Sequence, residues 1–183
     1  MNIVVLVKQV PETDALTLDL ETGTVKRSPA ASIVNPLDLY ALEAALRLKD
    51  KDPGIRISVL SMGPPSAEVA CREALSMGCD EACLLTGAGF AGADTWATAR
   101  CLASAVQKLG PFDLVLAGEK ATDGDTGQVG PEVAAFLGYP VVTYASSLEL
   151  QSGDRACWIR AGRITEESTQ VVDCPLPAVL TFC

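Results

Sequence analysis

The 183-residue chain has no histidine, which removes the commonest neutral-pH base and the commonest zinc ligand. Its seven cysteines, Cys71, Cys79, Cys83, Cys101, Cys157, Cys174 and Cys183, include no pair in CxxC spacing. No metal site is expected from them. Their odd number in a chain of this size speaks for reduced, mostly buried thiols in a cytoplasmic setting. Cations are also scarce. Fourteen Lys and Arg face 23 Asp and Glu, for a net charge of −9. That balance repels phosphate backbones and argues against nucleic acid as a partner, while leaving room for one nucleotide at one local site. No apolar run reaches the roughly 20 residues that a membrane helix needs, so membrane insertion is not expected. The opening MNIVVLVKQV lacks a basic region before it and a cleavage site after it, and reads as a strand, not a signal peptide.

Enzyme signatures are missing as well. There is no GxxxxGK[ST] phosphate loop and no GxGxxG after the first strand. No SGGxDS pyrophosphatase loop, HxGH adenylyl-transfer motif or GxSxG elbow occurs. No nucleophile, base and orienting group can be assembled from the sequence.

What the sequence does contain is apolar material of one kind. Hydrophobic residues make up 49% but aromatics only 5%, so Ala, Val and Leu carry the core. Small and branched aliphatics suit helices packed on both faces of a parallel sheet. Strand-like runs alternate with helix-like ones: Ile3 to Val7; LDLYALEAALRLKD after Asn35-Pro36; IRISVL; Ser66 to Met77; EACLLT; Asp94 to Leu109; DLVLAG; Pro131 to Leu137; VVTYA. Asn35 is expected to cap the first helix with Pro36 at its first position, and Asp94 to cap the third. Glu43 and Arg47 are spaced to pair across one turn. The alternation predicts an α/β fold with a doubly wound, mostly parallel, five-stranded sheet in one domain spanning 1–183. LTLD and TVKR around Gly23 suggest a small hairpin. After Ala145 the period becomes two, with breaks at Ser152-Gly153-Asp154 and Ala161-Gly162, which predicts a small antiparallel β appendage within about 146–183. PAVLTFC reads as one more strand.

In such a sheet, ligands sit beyond the carboxyl ends of the strands where the strand order reverses. Two segments qualify: Val7-Lys8-Gln9-Val10-Pro11, and GEKATDGDTGQVGP over 118–131. The second holds four glycines and runs into a helix. Free N–H groups of Thr126 to Gly130 at that helix start would cradle a phosphate. Asp123 and Asp125 would crowd a phosphate and suit ribose hydroxyls or the loop backbone better. The competing reading is a glycine-rich connection capped by Asp125 or Thr126. Ser61 to Pro65 reads as a plain turn or as a border to an adenine ring, and Asp94-Thr95 as a cap or a nucleotide contact. Trp96 and Trp158 read as packing residues.

Taken together, VLVKQVPET, NPLDLYALEAALRLKD, SVLSMGPP, REALSMGCDEACLLT, ADTWATARCLA and above all DLVLAGEKATDGDTGQVGPEVAAFLGYPVVTYA resemble the electron transfer flavoprotein β subunit, or FixA, family. The resemblance spans nearly the whole chain in order. It implies an adenine-nucleotide α-hydrolase-like sheet, and FAD or AMP as the bound nucleotide, with the DGDTxQVGP form favouring FAD. It maps a phosphate loop onto Asp123, Gly124, Asp125, Thr126, Gly127, Gln128 and Val129. It places Leu6, Val7, Lys8, Asn35, Met62 and Gly63 around the adenosine. It further implies an electron-transfer subunit, not a stand-alone enzyme, that pairs with an electron transfer flavoprotein α subunit. The electron donor would be a flavin-containing dehydrogenase or NADH. Family members continue past the strand equivalent to PAVLTFC, so an end at Cys183 reads as a C-terminally truncated form. The alternative reading of the residues is a nucleotide-binding sensor or structural module of the universal-stress-protein type, without redox activity.

Overall fold

The structure is a computed structural model that describes residues 1–12, 16–18, 25–27, 32–153 and 157–183. Its elements run β1 (Asn2–Val7), β2 (Gln9–Pro11), β3 (Leu16–Leu18), β4 (Val25–Arg27), β5 (Ser32–Val34), α1 (Pro36–Lys51), β6 (Arg56–Met62), α2 (Glu68–Met77), β7 (Glu81–Leu85) and α3 (Thr95–Leu109). They continue with β8 (Leu114–Gly118), α4 (Val129–Leu137), β9 (Val141–Ser152), β10 (Cys157–Ile164), β11 (Thr169–Pro175) and β12 (Ala178–Phe182). The main sheet has eight strands in the order β11-β10-β9-β12-β8-β1-β6-β7. All pairings from β9 across to β7 are parallel; β9, β10 and β11 pair antiparallel.

The doubly wound α/β architecture follows from strict alternation along the central strand. Ile3, Val5 and Val7 of β1 pack on one face with Ala41, Leu42, Ala45 and Leu48 of α1. Val4 and Leu6 pack on the other with Ala99, Leu102 and Val106 of α3 and Val133 and Ala134 of α4. Small alanines let the helices approach the sheet closely, and the two apolar layers between helices and strands form the core.

The parallel part is larger than the five strands counted from the helix-separated runs. PAVLTFC forms β12 and slots between β8 and β9, with Leu180 opposite Leu116 on one side and Val142 on the other. Every residue of Ala178–Phe182 is buried, and a run apolar on both faces gains most from an interior position. β9 runs unbroken from VVTYA into the antiparallel strands, which therefore continue the main sheet.

Other local expectations fare unevenly. Glu43 accepts from Arg47 at 2.6 Å, and Asp94 caps α3 by accepting from Ala97 N at 2.8 Å. The second helix opens with a 3₁₀ turn over Pro65–Ala67 before α2 begins at Glu68. Residues 16–18 pair antiparallel with 25–27; Gly23, where the hairpin is expected to turn, lies outside the described residues. Ala161-Gly162 is not a break. It sits inside β10 beside a register shift, where Gly162 N donates to Ser147 Oγ at 3.0 Å. A methyl there would stand 2.5 Å from that oxygen, so the glycine permits close approach of two strands, not a turn. All seven cysteines are free; Cys71, Cys79 and Cys174 are buried and Cys157 is exposed. Trp96 packs edge-on against Phe136 with ring centroids 4.7 Å apart, yet stays largely exposed.

Candidate functional site

After β7 at one edge of the sheet the chain returns through α3 to β8, on the opposite flank of β1 from β6. The strand order therefore reverses between β1 and β8, and the helices that follow them, α1 and α4, pack on opposite faces of the sheet. A cavity of about 750 Å³ opens at this point. That size suits a small-molecule or cofactor site. No helix among the described residues is long and apolar enough to cross a membrane.

The floor of the cavity is built by a residue that sequence reasoning passed over. Asp38, in the first turn of α1, is buried. Its Oδ2 accepts from Lys8 N at 2.7 Å, and its Oδ1 accepts from Gly118 N at 3.1 Å and Asn35 Nδ2 at 2.9 Å. One carboxylate thus ties the end of β1 to the end of β8. Burial pushes the Asp38 carboxyl up to about 7, against the three hydrogen bonds that pull it down, the one from Asn35 strongest. Gly118 is the complement of this staple. A methyl there would lie 2.5 Å from Asp38 Oδ1 and 2.7 Å from the Leu37 carbonyl carbon.

Asn35 stands at the N-cap position, and its backbone oxygen accepts from Asp38 N at 2.9 Å. It makes no side-chain cap bond to α1, although Pro36 does open the helix. Its buried amide reaches the other way, donating to Lys120 O at 2.9 Å and accepting from Thr122 N at 3.2 Å, so it fixes the start of the glycine-rich loop. Neither Asp125 nor Thr126 caps α4. The position before that helix is Gln128, which makes no side-chain cap bond.

Asp123 and Asp125 have a third role that neither expectation named. Lys8 Nζ donates to both oxygens of Asp123 at 2.7 and 2.8 Å. Lys120 Nζ lies 2.7 Å from Asp125 Oδ1, and that hydrogen bond holds the Lys120 ammonium above its ordinary range. Beyond these pairs the loop runs into α4. The N–H groups of Thr126, Gly127, Gln128, Val129 and Gly130 have no acceptor among the described residues. They adjoin the positive end of the helix dipole. Thr95 Oγ1 lies 3.3 Å from both Gln128 Oε1 and Glu132 Oε1, and its one hydroxyl proton, shared between them, joins the starts of α3 and α4 beside the cavity.

Leu6, Val7, Lys8, Asn35, Met62, Gly63, Gly124, Asp125, Thr126, Gly127, Gln128 and Val129 all line this one cavity. Asp123 stands behind, on Lys8. Asp94 and Thr95 line it too, as does the segment after β7 that includes Thr86, Gly87 and Phe90. Sequence reasoning missed that last segment, which after Thr86 carries only Gly and Ala around one aromatic.

Gly127 adopts φ +65 with only Glu119 O within 4 Å of an added methyl, at 3.8 Å. Gly127→Ala is therefore a test of backbone conformation without a clash. Left-handed strain predicts a loss of about 1 kcal/mol in urea unfolding. An unchanged midpoint would show that the loop accommodates the turn without glycine.

A model of the electron transfer flavoprotein domain matches residues 22–182. The chain is 46% identical over 181 residues to the caffeyl-CoA reductase-Etf complex subunit CarD of Acetobacterium woodii, covering 99% of this chain and 68% of that one. It is 48% identical over 181 residues to the electron transfer flavoprotein subunit beta of Clostridium acetobutylicum, again 99% and 68%. It is 44% identical over 187 residues to protein FixA of Azorhizobium caulinodans, covering all of this chain and 66% of that one. With a family match over most of its length and relatives this similar, the chain belongs to the electron transfer flavoprotein family and is a β-subunit-like electron-transfer protein.

Proposed function

We propose that the cavity binds an adenine nucleotide, FAD in preference to AMP, and that the chain relays electrons as one half of a heterodimer with an electron transfer flavoprotein α subunit. The observation that carries this reading is the run of N–H groups from Thr126 to Gly130, without an acceptor among the described residues, at the start of α4 beside a cavity at the switch point of the sheet. Those groups suit phosphate oxygens. Leu6, Val7, Met62 and Gly63 offer an apolar border for adenosine, with Lys8 and Asn35 beside it. FAD, when bound, supplies the redox chemistry; the residues of this chain bind, orient and shield it. A relative named acryloyl-CoA reductase electron transfer subunit gamma, 39% identical, supports a place in an electron-transfer complex; a flavin-containing dehydrogenase or NADH is the proposed electron donor.

The test is to denature the purified protein and identify what it releases by absorbance and mass. Released FAD supports a redox role on this subunit. Released AMP assigns the nucleotide a structural role and leaves electron transfer to a flavin on the partner. A protein that releases nothing and binds neither on addition overturns the nucleotide reading.

A further inference from the structure

We infer that two ion pairs, Lys8–Asp123 and Lys120–Asp125, set the charge of the nucleotide that the cavity accepts. They favour a monophosphate or a pyrophosphate diester and disfavour a polyphosphate chain. The inference rests on the reading of the cavity as a nucleotide site.

Among the described residues that line the cavity, Lys8 and Lys120 are the cations, while Asp38, Asp94, Glu119 and Asp125 are carboxylates. Both lysines are already engaged at 2.7 Å by aspartates of the glycine-rich loop. What remains for a phosphate is the N–H run and the helix dipole, equivalent to roughly half a positive charge. That suits the roughly two negative charges of a monophosphate or a pyrophosphate diester better than the roughly three or four of ADP or ATP. Each further phosphate charge would meet carboxylates, with no free cation among the described lining residues to offset them.

The pairs have little value as structural props, because both are partly exposed and such pairs contribute little to folding. Asp125 also holds φ +53, a left-handed conformation that glycine adopts more readily. The neighbours Gly124 and Gly127 show that the loop does use glycine. Keeping a strained carboxylate between them, aimed at Lys120, fits a role in charge.

The test uses the full chain and calorimetric titration with AMP, ADP, ATP and FAD. The variants are Asp123→Asn, Asp125→Asn and the double replacement. Asparagine tolerates the left-handed region. Asp173→Asn is the control, since it removes the same charge from the Arg160 pair on β11. In the double variant the ratio of ATP to AMP dissociation constants is expected to fall about tenfold, and ATP binding should become more sensitive to salt. Asp173→Asn should leave the ratio in place. An unmoved ratio in a double variant that still binds AMP overturns the inference while sparing the nucleotide reading. An equal shift in Asp173→Asn overturns it in favour of net charge. If neither AMP nor FAD binds the unmodified protein, the nucleotide reading falls and this inference falls with it.

Discussion

Replacing Asp38 by alanine is expected to cost about 3 kcal/mol of folding stability and to weaken nucleotide binding together with it. The carboxylate is the shared acceptor for Lys8 N, Gly118 N and Asn35 Nδ2. Its removal strands donors in a buried place, where each costs more than the bond itself contributed. The ends of β1 and β8 also lose their common anchor, and the loop that Asn35 holds loses it indirectly. Asp38→Asn separates charge from shape. Burial raises the folded-state value from 3.8 to about 7, so between those values the folded protein holds a proton that the unfolded chain has released. The contribution of this group to stability is then full below pH 4 and is lost as pH rises through 7. Urea midpoints measured from pH 4 to pH 8 should show this decline in the unmodified protein and lack it in Asp38→Asn. A flat profile in the unmodified protein would mean that the three donated bonds offset burial completely.

Asp38 also shows where the sequence stops being legible. Asn-Pro-Leu-Asp looks like the first turn of any helix, with a cap, a proline and an acid near the dipole. What distinguishes it are partners 30 and 80 residues away, and no local pattern records them. Lys8 and Asp123, 115 residues apart, are hidden in the same way. The alternation of strands and helices was readable because each run carries its own period. The glycine-rich loop stood out because four glycines within fourteen residues before a helix mark backbone that can turn tightly or be approached closely. The place of β12 was not, since an apolar run declares burial but not its neighbours. Gly162 misled because glycine marks both turns and close strand approach, and only Ser147 across the pair decides between them.

Gly130→Ala is expected to destabilise the protein by about 2 kcal/mol, and Thr181→Ser to rescue it. Gly130 lies in the first turn of α4, directly over β12, and an added methyl would stand 2.3 Å from Thr181 Cγ2. Thr181 is buried, so its methyl has nowhere to go and the helix start must lift from the sheet. That shift would move the N–H groups of Thr126 to Gly130 together, so nucleotide affinity should fall in the same variant. Thr181→Ser alone removes one buried methyl and should cost about 1 kcal/mol. In the double variant the methyl introduced on the helix occupies the space that the threonine methyl left. The higher helix propensity of alanine over glycine then adds its own small gain. Urea unfolding of the four proteins gives the coupling directly, expected at about 2 kcal/mol in favour of the pair. Independent, additive effects would mean that α4 does not rest on β12 at this contact. Rescue of stability without rescue of nucleotide binding would place the cradle elsewhere on the loop.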